Sequence, residues 1–356
     1  MPTDNRFDFL VFIGRFQPFH VGHLEVIQQG LQEAGQVIVL VGSAYQGRST
    51  RNPFDFTERQ VMIRGCLDAE QNQRVHIAPL ADVTYNDESW VRNVQTTVLG
   101  LTTALHKTPH RPVRIGLIGH SKDQSAYYLK LFPQWGSVEV KNVGGIHATA
   151  IREEIFSCTG PDAVRMVLEA DGIRHALPQN VKAMLKQFSE SDRFQLLRDE
   201  QNFVAQYRKA WDGAPYAPTF VTVDAVVVQS GHILLVRRKA RPGKGMLALP
   251  GGFIRGNEKI IDACVRELRE ETRLKIPAPV LKGSIQKQQV FDDPHRSTRG
   301  RTITHAFYIE LEPNQDLPKV KGGDDAEQAM WIPLAELDPS NLFEDHFFII
   351  REMTGM

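Results

Sequence analysis

Between Phe12 and His23 the chain reads FIGRFQPFHVGH: an apolar run ending at Gly14, a proline turn, and two histidines three residues apart where the next periodic segment begins. Phe9–Ile13 is continuously apolar, as a strand covered on both faces of a parallel sheet would be. Downstream, HLEVIQQGLQEAG sets Leu24, Ile27 and Leu31 at helical spacing and stops at Gly35, read as a left-handed cap. VIVLVGSA is a second short apolar run. Strand, glycine turn, helix and strand make a βαβ unit with a right-handed crossover. RVHIAPL and VRIGLIGH are expected to add strands, with helices at FTERQVMIRGCL and ESWVRNVQTTVLG. The first half is therefore expected to be an α/β doubly wound, Rossmann-like domain.

After Leu177 the pattern turns polar and helical, and it ends at the proline-rich DGAPYAPTF. FVTVDAVVVQSGHILLVRR then reads as a hairpin around QSGH, THAFYIEL and AMWIPL as later strands, and EKIIDACVRELREET as one strong helix. That is an α+β domain with a mixed sheet. The expected division is 1–180, a helical connector over 181–214, and 215–356, in keeping with a length of 356 residues and domains of roughly 100–200 residues.

Lys+Arg equals Asp+Glu at 42 each, so no global basic field exists to hold nucleic acid, and an anionic substrate must be held by local groups. Cys66, Cys158 and Cys264 form no CxxC pair, which argues against a disulfide framework or a zinc site and fits a reducing cytoplasm. No apolar run is long enough for a membrane span, and the start of the chain does not read as an export signal. Oligomeric state is left open, a homo-oligomer included.

In the opening stretch, Gly14 removes a side chain where a nucleotide must approach the backbone, and His20 and His23 fall at a helix start, where free N–H groups and the dipole favour an anion. Phosphoryl transfer needs positioning and charge stabilisation rather than a protein nucleophile. GGIHATAIREEIF offers a second helix start: Gly144 and Gly145 as a loop, Thr149 as a cap, and Arg152 in the first turn.

These residues carry a resemblance. GRFQPFHVGH matches the GxFxPxHxGH pattern of the nucleotidylyltransferase superfamily, and together with STRNPFDFTERQVMI and YNDESWVRNV it resembles the archaeal-type nicotinamide mononucleotide adenylyltransferases over roughly the first half of the chain. The resemblance implies that His20, His23 and Arg152 serve catalysis on ATP phosphates. Gly14, Arg15, Phe16, Gly22 and Thr149 would line the ATP and mononucleotide pocket, Arg51 would meet the mononucleotide phosphate, and Trp90 would stack on the nicotinamide. His147 and Ala148 stand where family members have small or hydroxylated residues, and Asn86 or Asp87 stands where the amide is recognised.

From Gly252 the chain reads GFIRGNEKIIDACVRELREETRL, which resembles the Nudix box. Glu267, Glu270 and Glu271 share one helix face at offsets of three and four, and divalent cations would relieve their repulsion while activating water against a pyrophosphate. Ile260, Ile261, Ala263, Cys264 and Leu268 form the docking face. Arg266 is placed to orient a glutamate, and Glu258 to join the metal shell. Arg273 replaces the glycine that ends the box, so a changed exit turn is expected.

RRKARPGKGMLALPGG and RSTRGRTITHAFYIEL resemble the flanks of ADP-ribose pyrophosphatases, which implies ADP-ribose contacts from Arg238, Arg301, Gly251 and Gly252, with Arg237, Arg241, Lys244 and Arg299 as further candidates. Asp324, Asp325 and Glu327 are alternative general bases. The whole chain resembles two-domain bacterial enzymes that join the two activities. Implied are Mg²⁺, with Mn²⁺ as the substitute, and ATP, nicotinamide mononucleotide, NAD and ADP-ribose as ligands. The alternative is a second domain that senses ADP-ribose or NAD without cleaving it, or that acts on another nucleoside diphosphate derivative.

Overall fold

Continuous apolar runs become strands covered on both faces, and alternating ones become strands with one solvated face. The computed structural model describes residues 6–106, 111–120, 131–140, 147–314 and 316–356; Gly144 and Gly145 lie outside them. The chain divides into two units, Met1–Arg198 and Asp199–Met356, with the division inside the segment read as a connector.

The first unit runs β1 (Phe7–Gly14), α1 (Val21–Glu33), β2 (Ala34–Val41), α2 (Phe56–Arg64), α3 (Ala69–Arg74), β3 (Val75–Pro79), α4 (Asp87–Leu105), β4 (Ile115–His120) and β5 (Gly136–Val140). Helices α5 (Ala148–Ser157), α6 (Pro161–Glu169), α7 (Asp171–Arg174) and α8 (Gln179–Ser189) follow, and α9 (Asp192–Lys209) contains the division. The sheet order is β3-β2-β1-β4-β5 with every pair parallel. Leu10 and Phe12 join one core cluster while Phe9 and Val11 join another, which is why β1 is apolar from Phe9 to Ile13. Strand order reverses between β1 and β4, leaving a crevice beyond the carboxyl end of β1, where Gly14 stands.

Two details differ from expectation. Gly35 does not cap α1: Ala34 is already extended, its N–H bonded to the Gly30 carbonyl, and the chain passes directly into β2. β5 was not anticipated, because only Val138 and Val140 of GSVEV are buried and an edge strand needs no more. Val181, Leu185, Phe194 and Leu197 lie in the first unit's core, so the early part of the 181–214 segment packs as amphipathic helix within that unit.

The second unit contains β6 (Thr219–Gln229), β7 (His232–Arg238), β8 (Leu247–Ala248), β9 (Gly251–Phe253), α10 (Ile260–Thr272), α11 (Ala278–Gly283), β10 (Ile285–Phe291), β11 (Arg301–Glu310), β12 (Ala326–Pro333) and α12 (His346–Thr354). Its mixed sheet is ordered β10-β11-β6-β7-β12, with β8 on β7 and β9 on β6; β6 and β11 are parallel and the other pairs antiparallel. The QSGH hairpin closes through Ser230 and Gly231, both at positive φ, as a two-residue turn that follows strand twist requires. Ala263, Cys264 and Leu268 of α10 share a core with Val223, Val227 and Phe307 of the sheet.

The exit turn of α10 is not altered. Arg273 itself takes the left-handed conformation at φ 54°, ψ 24°, and its N–H bonds the Arg269 carbonyl. The Lys321 N–H reaches the Thr272 carbonyl at 2.9 Å and the Gly323 N–H the Glu271 carbonyl at 3.0 Å, so a later loop satisfies the helix end and overrides the local cost. Arg273→Gly should raise the stability of the second unit by about 1 kcal/mol, read as a shifted urea midpoint. A lower midpoint would show that the Arg273 side chain lying against Gly323 outweighs the strain.

Candidate active sites

The end of β1 is shaped by close packing. A Cβ at Gly14 would fall 2.8 Å from the Phe16 ring, so glycine serves the Phe16 side chain as well as any ligand. Phe16 is buried at φ 54° and sets its edge against His23 at 4.9 Å. His20 is the N-cap residue of α1 and His23 the third residue within it; their rings stack at 3.6 Å between centroids. The His20 N–H donates to His23 Nδ1 at 3.3 Å, which orients the second ring from the backbone of the first. Gly22 is buried between them, with a Cβ position 3.3 Å from the His20 ring.

Arg152 is buried on α5. Its Nη1 donates to the Gln17 carbonyl at 2.6 Å and its Nη2 to Thr149 Oγ1 at 3.1 Å. Thr149 is therefore not the helix cap, which is His147; its hydroxyl instead accepts from Arg152. Gln17 is locked in turn by a reciprocal pair with the Phe54 backbone at 2.8 and 3.1 Å. Burial pulls the Arg152 guanidinium down to about 10, and Arg15 and Arg51 add to that shift. Arg15 is lowered by burial and by Arg51, with Asp82 opposing. Arg15, Arg51 and Arg152 are thus electrostatic neighbours, and the Gln17 carbonyl ties Arg152 to the turn that leads into His20 and His23.

Arg59, within a segment read only as helix, does most to hold this geometry. It is fully buried on α2 and donates to the carbonyls of Arg15 at 2.8 Å, Gly42 at 2.6 Å, Ser43 at 3.2 Å and Asp55 at 3.1 Å. One guanidinium thus ties the ends of β1 and β2 together, and only tertiary structure reveals such acceptors. Trp90, by contrast, is half-buried against Phe132 at 6.1 Å. The Asn86 side chain caps α4 by accepting from the Ser89 N–H at 2.9 Å, while Asp87 is exposed.

In the second unit, α10 presents Glu267, Glu270 and Glu271 together. Glu271 is 7% exposed and accepts from the Gly251 N–H at 3.0 Å. Burial pushes its carboxyl up to about 8, Glu267 and Asp325 adding and the Gly251 bond and Arg238 opposing. Glu267 is also raised, by burial first and then by Glu270 and Asp324, against Arg266. Arg266 bridges Glu258 at 2.6 Å, Glu267 at 2.7 Å and Glu270 at 3.0 Å, and holds the Glu258 carboxyl down to about 2. With that guanidinium interposed, no three potential metal ligands converge among the described residues.

The residues nevertheless fit a divalent cation. A Cβ on Gly252 would strike the Glu267 carboxylate at 2.8 Å, so a glycine is needed to admit that group, and burial pushes the Glu267 and Glu271 carboxyls upward despite Arg266 and Arg238, a cost that a bound cation would relieve. The loop pinned to the end of α10 brings Asp324 toward Glu267 and Asp325 toward Glu271, whereas Glu327 lies in β12.

Of the ADP-ribose candidates, Arg238 faces this group: it stacks over Phe343 at 4.1 Å, donates to the Pro242 carbonyl at 2.9 Å, and has Arg299, Glu344 and Glu271 as electrostatic neighbours. Arg301 is instead tied to Asp292, Arg237 to the Gly245 carbonyl, and Arg241 to Asp199 and Glu200. Arg299 lies over the Phe253 ring at 5.0 Å.

Sequence reasoning missed the buried pair of Arg296 with Asp345, at 2.9 and 3.0 Å, and Asp224, which accepts from Thr304 at 2.6 Å. Asp224 was the legible signal, a lone charge inside an apolar strand.

The two sites define a protein with two nucleotide-handling domains in series, and comparison with known proteins agrees. Residues 11–107 match the cytidylyltransferase-like family and residues 218–353 the NUDIX domain. A nicotinamide/nicotinic acid mononucleotide adenylyltransferase of Acinetobacter baylyi is 40% identical over 202 residues, covering 56% of this chain and 96% of that one. An ADP-ribose pyrophosphatase of Methanocaldococcus jannaschii is 36% identical over 137 residues, 38% of this chain and 74% of that one. The crystal structure of a bifunctional NMN adenylyltransferase/ADP ribose pyrophosphatase from Francisella tularensis, complexed with AMP and a manganese ion, superposes with a TM-score of 0.87 at 34% identity, over 98% of this chain and 99% of that one. The chain belongs to the family of bifunctional NMN adenylyltransferase/ADP-ribose pyrophosphatases. Among the described residues no helix is long and apolar enough to cross a membrane.

The raised Glu271 carboxyl has a stability consequence. The folded state holds this proton up to about 8 whereas an ordinary glutamate releases it near 4.5, so its stabilisation is complete below 4.5 and is lost as pH rises toward 8. With a chelator present, the melting temperature of the second unit should fall over that window, recover on adding a divalent cation, and lose that dependence in Glu271→Gln. A flat profile in wild-type protein would contradict the assignment.

Proposed function

We propose that the first unit transfers the AMP part of ATP to nicotinamide mononucleotide, giving NAD and pyrophosphate, and that the second hydrolyses ADP-ribose to AMP and ribose 5-phosphate. The observation that carries this reading is the coexistence, in a chain alike end to end to a bifunctional enzyme, of an arginine-and-histidine anion site in one unit and a buried carboxylate face in the other.

In the synthase, His20 and His23 at the start of α1, with Arg152 and Arg15, hold the triphosphate and stabilise the charge that moves onto the departing pyrophosphate. Arg51 takes the mononucleotide phosphate, Trp90 stacks on its base, and Gly14, Phe16, Gly22 and Thr149 shape the pocket. No covalent intermediate is needed, because the mononucleotide phosphate attacks the α-phosphorus directly.

In the hydrolase, Glu267, Glu270 and Glu271 would hold divalent metal, with Mg²⁺ as the proposed ion and Mn²⁺ as its substitute. The metal supplies charge neutralisation at the diphosphate and lowers the pKa of the attacking water. The Gly251 N–H orients Glu271, Gly252 leaves room for Glu267, and Arg238 meets the substrate diphosphate. Asp324 and Asp325, electrostatic neighbours of Glu267 and Glu271, are the proposed acceptors of that water's proton.

Purified protein given Mg²⁺ and ADP-ribose without ATP should release AMP. His23→Ala should lower NAD synthesis by about 100-fold or more and spare hydrolysis. Glu271→Gln should do the reverse, by a similar factor. ADP-ribose that binds without cleavage would make the second unit a sensor, and loss of both activities in one folded variant would refute independent sites.

A further inference from the structure

The segment Leu247–Gly252 carries two groups on which the candidate hydrolase depends: the Gly251 N–H bonded to Glu271, and Gly252, whose missing side chain admits Glu267. It is held from two sides. On one, the Ala225 N–H donates to the Pro250 carbonyl at 2.8 Å, and Gly251 and Gly252 pair with Asp224 and Val223 of β6. On the other, the last segment of the chain closes over it. The Phe343 N–H donates to the Leu247 carbonyl at 2.8 Å, and the Leu249 N–H donates to His346 Nδ1 at 2.9 Å.

His346 opens α12 and is 6% exposed, and Leu249 is 2% exposed, so water does not compete for this bond. Because Nδ1 accepts, the proton of the neutral ring sits on Nε2. Burial and the facing Arg296, Arg238 and Arg299, against Asp345, pull the imidazole down to about 3, which leaves Nδ1 an acceptor at neutral pH.

We infer that His346 is a positioning residue for hydrolysis: by fixing Leu249 through Nδ1, it sets the register of the segment that aims the Gly251 N–H at Glu271 and seats Gly252 beside Glu267. The inference rests on the hydrolase reading and concerns a residue that acts through the segment. A ligand-orienting outer contact of this kind typically accounts for about 10- to 100-fold in activity.

The test compares His346→Asn, whose side-chain oxygen falls near the place of Nδ1, with His346→Gln, whose oxygen reaches toward Nε2, and with His346→Leu. AMP release by the full chain with Mg²⁺ and ADP-ribose is measured alongside NAD synthesis, and amide exchange over residues 247–252 is followed in chelator. The expected result is a fall of about tenfold or more in hydrolytic kcat for the leucine and glutamine variants with little change in KM, recovery in the asparagine variant, and unchanged synthesis. Exchange should quicken over 247–252 in the leucine variant and stay slow elsewhere in the second unit. Wild-type kcat in His346→Leu, an asparagine variant as poor as leucine, or faster exchange throughout the unit would overturn the inference. Wild-type protein that releases no AMP would sink the hydrolase reading instead, and the exchange result would still decide whether His346 holds the segment.

Discussion

Charges of one sign repel, and a site built from them must be held together by something other than themselves. In the first unit the guanidinium groups of Arg15, Arg51 and Arg152 oppose one another; the Gln17 carbonyl holds Arg152, Asp82 counters Arg15, and Arg59, a further cation, fixes the backbone by gathering the carbonyls of Arg15, Gly42 and Ser43. In the second unit the carboxylates of Glu267, Glu270 and Glu271 stand on one turn of helix, and the opposing supports are the Arg266 guanidinium and the Gly251 N–H. Each site is the mirror of the other in charge. Each is also positioned by backbone polar groups that side-chain rearrangement cannot easily displace.

The two folds suit these tasks differently. A parallel sheet delivers several strand ends and helix N-termini to one edge, so cationic side chains and free N–H groups meet there without a dedicated element. The second unit instead uses the length of α10, where offsets of three and four put carboxylates side by side, and seals the helix against a mixed sheet so that burial raises Glu267 and Glu271. A cation is then favoured by desolvated oxygens rather than by a helix dipole.

Periodicity made the architecture legible. The β1–α1–β2 start, the hairpin at Ser230–Gly231 and the docking face of α10 all follow from local patterns in the chain. Features that depend on distant partners were not legible. Gly35 reads as a cap until β2 is seen to begin at Ala34; Thr149 reads as a cap until Arg152 is seen to occupy its hydroxyl; Arg273 reads as a defect until Lys321 and Gly323 are seen to satisfy the helix end. Arg59 and His346 were invisible for the same reason, since Arg59 acts on the Gly42 carbonyl 17 residues away and His346 on the Leu249 N–H 97 residues away along the chain. The candidate residues themselves were named from motifs, whereas what holds them required coordinates.

That pattern of support bears on whether the two chemistries depend on each other. Among the described residues, Arg152 bonds Gln17 and Thr149 and Gln17 bonds Phe54, all in the first unit, while Glu271 bonds Gly251 and Leu249, two residues before it, bonds His346, all in the second. Helix α9 is common to both lengths of chain, yet Phe194 and Leu197 pack in the first core while Tyr207 meets Phe220 and Arg208 bonds the Thr298 carbonyl in the second. Coupling between sites requires a shared element with two alternative arrangements. Among the described residues the positioning bonds of Arg152 and Glu271 lie within one unit or the other, and no such shared two-state element is among them.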